Sequence, residues 1–203
     1  MKKRNDFVSN SSSSSYIVIV DNGAMCSRVG VDAEAKKGYR TYAVPNKDYG
    51  HLEFGWDVRT YETLEDKLNW CGIILLELYA SCRCAELKGG VLGKKASKIV
   101  NSYEQDKEKF FKWNAMLSKV CEERLGFKIN LDLDWLRPFG ATSPDSEYAY
   151  IGTFDCYIDH QSDIFEAPEN GRMFESEDTL YNFLAYEGSY IQGGNDNCDD
   201  YYE

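Results

Sequence analysis

Two long stretches of the chain repeat apolar residues at the spacing of an α-helix, and this limits the possible folds more than any other feature. Between residues 61 and 82, apolar side chains recur at steps of three and four, as they do along one face of a helix. A second such stretch spans residues 96–125. The apolar face of the first helix is predicted to contain Leu64, Leu68, Cys71, Leu75, Leu78, Tyr79 and Cys82.

The ends of both helices are also marked in the sequence. Thr60 or Thr63 is the expected N-cap of the first helix, because a threonine hydroxyl can accept a hydrogen bond from an unpaired amide of the first turn. Gly89 and Gly90 are expected to stop it. Gly126 is placed for a left-handed cap at the end of the second helix.

Several shorter segments have the alternation or the apolar run of a β-strand. We expect two of them, residues 39–44 and 51–56, to form a hairpin, and residues 190–191 to add a final edge strand. Ser176, followed by two acidic residues, predicts the start of a short helix that runs to about Glu187. The predicted strands are residues 16–20, 39–44, 51–56, 127–133, 148–160 and 190–191.

These elements predict an α+β fold in which a mainly antiparallel sheet packs against two long helices plus a shorter C-terminal helix. We expect a single domain over residues 16–192. A Ser-rich N-terminal segment, residues 1–15, precedes it, and an acidic tail, residues 193–203, follows it.

The cysteines and the hydropathy indicate the compartment. Seven cysteines at irregular spacing, with no CxxC pair, favour reduced thiols in a cytosol over disulfides or a structural zinc. The longest nearly apolar run, residues 70–76, is far shorter than the roughly 20 residues that cross a bilayer. We therefore expect a cytoplasmic protein that does not enter a membrane.

Charge is divided unevenly along the chain. Residues 1–131 contain 21 basic and 17 acidic residues, whereas residues 132–203 contain two basic residues against 17 acidic ones, a net charge of −15. Such a field repels phosphate backbones and attracts cations, so we expect no direct nucleic-acid binding by this segment. A basic protein surface is the natural partner, and the partner-binding residues are predicted to be Asp155, Asp159, Asp163, Asp196, Asp199 and Asp200. The simpler alternative is that these acids only keep the protein soluble.

His160 offers a different hypothesis, that of a metal site. It is one of two histidines, and Asp159 and Asp163 are close to it in the sequence. If the chain turns at Asp159, these three side chains could hold a divalent cation, with Asp196 or Asp199 from the tail as further ligands. Otherwise the segment is a solvated strand end, since an extended strand would direct Asp159 and His160 to opposite faces.

No motif of catalysis or nucleotide binding stands out. The glycine and lysine residues 88–95 lack the spacing of a phosphate-binding loop, and they follow a predicted helix rather than a strand. A GxSxG nucleophile motif is absent. The sequence predicts no cofactor beyond the possible divalent cation, and it identifies no reaction.

One segment of the sequence carries a family resemblance. RNDFVSNSSSSSYIV, from Arg4 to Val18, resembles the opening shared by a group of small uncharacterised proteins encoded by bacteriophages and some bacteria, typically an arginine followed by FVSNSSSSSF. Tyr16 replaces the usual phenylalanine. The resemblance implies a phage-type accessory protein in the cytoplasm of a bacterial host, and it implies no enzymatic activity.

Two functions are therefore expected from the sequence. The first is a non-catalytic accessory or host-interaction protein whose acidic C-terminal surface binds a basic surface of a bacterial protein. The alternative is a metal-dependent enzyme or a divalent-cation-binding module centred on His160 and its neighbouring aspartates.

Overall fold

The computed structural model describes residues 14–28, 31, 41–48, 52–54, 58–92, 97–136, 156–158 and 168–194. These residues form α-helices together with antiparallel and parallel strand pairs, so the predicted mixed α+β class is confirmed. The strands are β1 (Ser14–Val18), β2 (Thr41–Val44), β3 (Glu53–Phe54), β4 (Arg59–Tyr61), β5 (Lys128–Leu131), β6 (Tyr157–Ile158) and β7 (Tyr190–Gly194). The α-helices are α1 (Leu64–Leu92), α2 (Ser97–Lys119) and α3 (Glu177–Ala185).

Helix α1 begins at a reciprocal cap. Thr63 Oγ1 accepts a hydrogen bond from Asp66 N at 3.1 Å, and Asp66 Oδ2 accepts from both Thr63 N and Thr63 Oγ1. Thr63, rather than Thr60, is therefore the cap. The predicted stop at Gly89 and Gly90 is wrong, because α1 continues through both glycines to Leu92. A glycine inside a helix costs only about 1 kcal/mol, which does not force the helix to end.

Helix α2 continues into a π-helical turn, Val120–Leu125, and ends as predicted at Gly126. Gly126 has a φ of 80° and donates its amide hydrogen to the Cys121 carbonyl, so the left-handed cap is confirmed. The C-terminal part also contains the 3₁₀ helix Pro168–Glu175, followed by α3. Ser176 caps α3, since its Oγ accepts a hydrogen bond from Thr179 N at 3.0 Å.

Within the described residues, the strands form three separate sheets rather than one mainly antiparallel sheet. β7 lies between β1 and β4 and is antiparallel to both, so the prediction that it is an edge strand is wrong. The predicted hairpin is also wrong, because β2 pairs in parallel with β5 and β3 pairs in parallel with β6. Parallel strands need a long connection between them, and α1 and α2 provide it between β2 and β5.

The strand ladder extends past the domain boundaries predicted from the sequence. Ser14 and Ser15 of β1 lie opposite Gly194 and Gly193 of β7. The last two serines of the serine run therefore belong to the sheet.

The core surrounds the first half of α1. Residues 66–76 are all buried, so this part of the helix is covered on every side and the predicted single apolar stripe is too narrow. The ring of Phe54 lies 4.7 Å from that of Tyr61 and 5.2 Å from that of Trp70, between centroids. No helix within the described ranges combines the length and apolar character needed to cross a bilayer.

Candidate functional site

All seven residues of the sequence-predicted sites lie outside the described part of the chain. They are Asp155, Asp159, His160, Asp163, Asp196, Asp199 and Asp200. Both the partner surface and the metal site therefore remain predictions. Next to them, Cys156 and Ile158 of the β6 region are buried, as expected for alternate residues that share one face of a strand. Among the described residues, no three His, Cys, Asp or Glu side chains are grouped so as to hold a metal ion.

Four described carboxylates of the acidic segment are paired with cations from the first 131 residues. Glu177 accepts a hydrogen bond from Lys119 Nζ at 2.8 Å, and Asp178 accepts from an Arg124 nitrogen at 2.8 Å. Asp132 and Asp134 both lie near Lys47. Adding the three positive charges of these cations to the −15 of residues 132–203 leaves −12. The described ion pairs thus neutralise only a small part of the acidic segment.

A groove with an aromatic floor lies between α2 and the 3₁₀ helix Pro168–Glu175. Its volume is about 510 Å³, which falls within the range of small-molecule sites. Trp113 of α2 and Phe174 of the 3₁₀ helix stack in parallel at its base, with ring centroids 4.7 Å apart.

The charges around this groove balance. Three carboxylates and three cations line it, and none of these six side chains takes part in a hydrogen bond or ion pair between described residues. They are Glu108, Lys109, Lys112, Glu169, Arg172 and Glu175. The groove therefore does not share the strong negative charge of the segment that forms one of its walls.

A buried amine and a buried thiol form the most unusual polar contact of the described residues. Lys67 of α1 is fully buried, and its Nζ donates hydrogen bonds to Cys26 Sγ at 3.0 Å and to the Tyr186 carbonyl at 2.7 Å. Cys26 is 6% exposed, and its Sγ lies 3.4 Å from the Glu62 carbonyl oxygen. Lysine is almost never fully buried unless it is paired, so this position needs a physical explanation.

The backbone at the C-terminal end of α3 accounts for the position of Lys67. The segment before Cys26 runs antiparallel to this end, with Cys26 N bonded to the Ala185 carbonyl at 2.7 Å and Glu187 N bonded to the Ala24 carbonyl at 2.9 Å. The Tyr186 carbonyl then needs a donor, and Lys67 Nζ supplies it. A cation there also opposes the partial negative charge of the helix end.

Burial changes the acidity of this amine. Removal from water lowers the pKa of Lys67 below its usual value of 10.5. The hydrogen bond with Cys26 and the nearby carboxylates of Asp66 and Glu62 act in the opposite direction, but they do not outweigh burial. The Lys67 ammonium consequently loses its proton more easily than an exposed lysine.

Our sequence predictions missed the Lys67 site, although a signal for it was present. Lys67 is three residues after Leu64 and four before Cys71, so it falls on the predicted apolar face. A charged residue at such a position is a candidate for a buried polar contact. Its partner Cys26 is 41 residues away in the sequence, and nothing in the local pattern predicts that pairing.

A second polar cluster joins β2 to the first turns of α1. Glu65 accepts hydrogen bonds from the Tyr42 hydroxyl and from Asn46 Nδ2, the latter at 3.0 Å. Asn69, which is fully buried, accepts from Asn46 N at 2.9 Å. These hydrogen bonds hold the segment after β2 against α1, so we assign this cluster a structural role.

The five cysteines whose side chains are described are buried and free of disulfides, as expected of reduced thiols. They are Cys26, Cys71, Cys82, Cys121 and Cys156. The described residues thus offer one amine–thiol contact and one electrically balanced groove. Comparison with protein-family models, with curated proteins and with solved structures finds no match to this chain.

Proposed function

We propose that this protein is a non-catalytic accessory or host-interaction protein that binds a basic surface of a bacterial protein through its acidic C-terminal segment. The observation that carries the proposal is the net charge of −15 on residues 132–203, in a chain whose first 131 residues have a net charge of +4. The resemblance of the segment from Arg4 to Val18 to phage-encoded proteins supports a role in the cytoplasm of a bacterial host.

The described ion pairs are compatible with this role because they involve only four of the 17 carboxylates of residues 132–203. Glu169, Glu175 and Glu187 are exposed, and they are not partners in those ion pairs. A field of this sign raises the rate at which a basic partner is encountered, and it weakens as salt is added.

The partner-binding residues in this proposal are the six aspartates predicted from the sequence. Because Asp196, Asp199 and Asp200 are close together in the chain, replacing all three with asparagine removes three charges while keeping side-chain size. The matched control is the triple variant Asp48→Asn, Glu108→Gln and Glu123→Gln. It makes the same change in total charge at exposed positions of the first 131 residues.

The test is capture of partner proteins from a bacterial lysate by the immobilised 203-residue chain, at low and at high salt. We expect a basic protein to be retained at low salt, released at high salt, and lost by the C-terminal variant but kept by the control variant. Equal capture by both variants would show that total charge, rather than the C-terminal segment, determines binding. Either that result or the absence of a captured basic protein at low salt would contradict the proposal.

The metal-dependent alternative makes a different prediction for the same chain. A divalent cation that binds only the folded state raises the unfolding midpoint by mass action. Titration with Mg²⁺, Mn²⁺ and Ca²⁺ should leave the midpoint unchanged if the protein is a metal-independent binding protein. A rise that His160→Ala abolishes would favour the cation-binding module instead.

A further inference from the structure

The contact between Cys26 and Lys67 brings together the two atoms needed for a covalent bond. Sγ and Nζ lie 3.0 Å apart, and both side chains are held by additional hydrogen bonds to backbone carbonyls. Lys67 Nζ also lies over the ring of Phe183, 5.9 Å from its centre. Sulfur and nitrogen are therefore in direct contact and need only a short further approach to form a bond.

The surroundings make the amine a potential nucleophile. The two hydrogen-bond partners of Lys67 are a thiol and a carbonyl, and no carboxylate forms an ion pair with it among the described residues. Asp66, the nearest acid in the sequence, directs Oδ2 toward Thr63 instead. Burial favours the neutral form of this amine relative to that of an exposed lysine, and only the neutral form carries the free electron pair that attacks an electrophile.

We propose that Cys26 and Lys67 are a modification site at which hydrogen peroxide forms a covalent sulfur–nitrogen crosslink. In the first step, the Cys26 thiolate attacks one peroxide oxygen and the O–O bond breaks, which gives a sulfenic acid and hydroxide; the hydroxide takes a proton from the adjacent Lys67 ammonium, so that water and the neutral amine are formed. In the second step, the neutral Lys67 amine attacks the sulfenic sulfur, the S–O bond breaks, and water leaves. The net reaction consumes one thiol, one amine and one peroxide and gives the S–N bond and two waters.

Two of the other buried thiols, those of Cys71 and Cys121, are poor targets for peroxide. Oxidation requires the thiolate, and burial raises the pKa of both Cys71 and Cys121 above the usual value of 9.0. Cys26 is 6% exposed and directly follows the exposed residues 21–25, so its side chain lies near the surface of the protein. A sulfenic acid formed at Cys26 is already in contact with the Lys67 amine, so it reacts with this amine before a thiol from solution reaches it.

The crosslink would join two parts of the chain that are far apart in sequence. Cys26 and Lys67 are separated by 41 residues, and the bond would fix the segment before Cys26 to the first turns of α1. Closing a loop of this length reduces the entropy of the unfolded chain. The oxidised protein should therefore unfold at a higher temperature than the reduced protein.

The test treats the folded chain with increasing hydrogen peroxide, quenches it, and maps the peptides by mass spectrometry without reductant. We expect a peptide that joins Cys26 to Lys67, with a mass lower by two hydrogen atoms than the sum of its parts and with no tryptic cleavage after Lys67. A thiol reductant should release the two peptides. The result requires no variant, so it does not depend on whether a mutant folds.

Two variants add specificity to the peptide map. Lys67→Arg retains a buried hydrogen-bond donor but replaces the amine with a guanidinium. Cys26→Ser retains a hydrogen-bonding side chain but has no sulfur. Neither variant should form the crosslink. Oxidation of Cys26 to a sulfinic acid with Lys67 still cleaved by trypsin would overturn the proposal. So would a disulfide from Cys26 to another cysteine, which has the same mass change but joins different peptides.

Discussion

Gly72 lies where α1 passes closest to the end of β2. A Cβ atom at this position would collide with Cγ1 of Val44 and would lie 3.0 Å from the backbone nitrogen of Pro45. Glycine to alanine usually stabilises a helix interior by about 1 kcal/mol. We expect Gly72→Ala instead to lower the free energy of unfolding by roughly 1–3 kcal/mol, because the backbone of Pro45 cannot move aside.

Chemical denaturation of Gly72→Ala measures this change. Val44→Ala provides the matched partner, because it removes the side chain that the new methyl group would strike. The double variant should be more stable than the sum of the two single effects predicts. An increase in stability for Gly72→Ala alone would show that the contact between α1 and β2 is looser than described here.

Cys121 makes stability depend on pH in the alkaline range. Burial raises the pKa of its thiol from 9.0 to about 12, and the effect of Arg28, which lowers it, is smaller. Between these values the unfolded chain releases a proton that the folded chain retains. Unfolding is therefore favoured as pH rises, with a slope of about 1.4 kcal/mol per pH unit for one such group.

Urea denaturation between pH 9 and pH 12 tests this slope. As pH rises, the free energy of unfolding of Cys121→Ala should fall less steeply than that of the parent chain. Part of the pH dependence should remain, because the pKa of Cys71 is also raised. Val120→Ala truncates the adjacent buried residue without removing an ionisable group, so its slope should match that of the parent. An unchanged slope for Cys121→Ala would contradict the prediction.

The N-terminus of α1 depends on one threonine. Thr63→Ala removes the acceptor for Asp66 N and a donor to the buried Asp66 carboxylate, so we expect a loss of about 0.5–2 kcal/mol in the free energy of unfolding. Thr60→Ala is the matched control, because its hydroxyl donates a hydrogen bond to Gln192 at an exposed site, away from the first turn of α1. Thermal or urea denaturation should show a much smaller change for the control, and equal losses would mean that the cap does not lie at Thr63.

Local signals predicted the ends of elements better than they predicted their partners. The caps at Ser176 and Gly126 were correct because each depends on the hydrogen bonds of a few adjacent residues. The pairing of β2 with β5 was not predicted, since two parallel strands separated by two helices leave no local trace in the sequence. For the same reason β7 was mistaken for an edge strand.

In the candidate sites, too, the sequence shows the individual groups better than it shows their partners. The excess of acidic residues after position 131 can be counted in the sequence, but the ion pairs of Glu177 and Asp178 with Lys119 and Arg124 depend on how α2 meets α3. The contact between Cys26 and Lys67 likewise depends on the end of α3, where one carbonyl bonds to the amide of Cys26 and the next bonds to the Lys67 amine. Sequence patterns thus reveal which groups need a partner, and the fold determines which partner they receive.

The net charge of −11 makes the folded state and the proposed complex respond to salt in opposite directions. Repulsion among like charges acts over long distances and destabilises the compact chain, and salt screens it within a Debye length of about 10 Å at 0.1 M. The pairs of Lys119 and Arg124 have atoms 2.8 Å apart, so they are screened less, and exposed pairs contribute only about 0–1 kcal/mol each. We therefore expect the unfolding midpoint to rise as NaCl increases from low to physiological concentration.

Calorimetry over this NaCl range measures the effect, and the Asp196→Asn, Asp199→Asn, Asp200→Asn variant should show a smaller rise because fewer carboxylates repel one another. A midpoint that falls with salt would mean that favourable pairs, rather than repulsion, dominate the electrostatics of the chain. The sign of the change in midpoint with salt also determines how the capture experiment is interpreted. If salt raises the unfolding midpoint and also releases the partner, unfolding cannot be the cause of the release. The release then results from a weaker association between the charged surfaces.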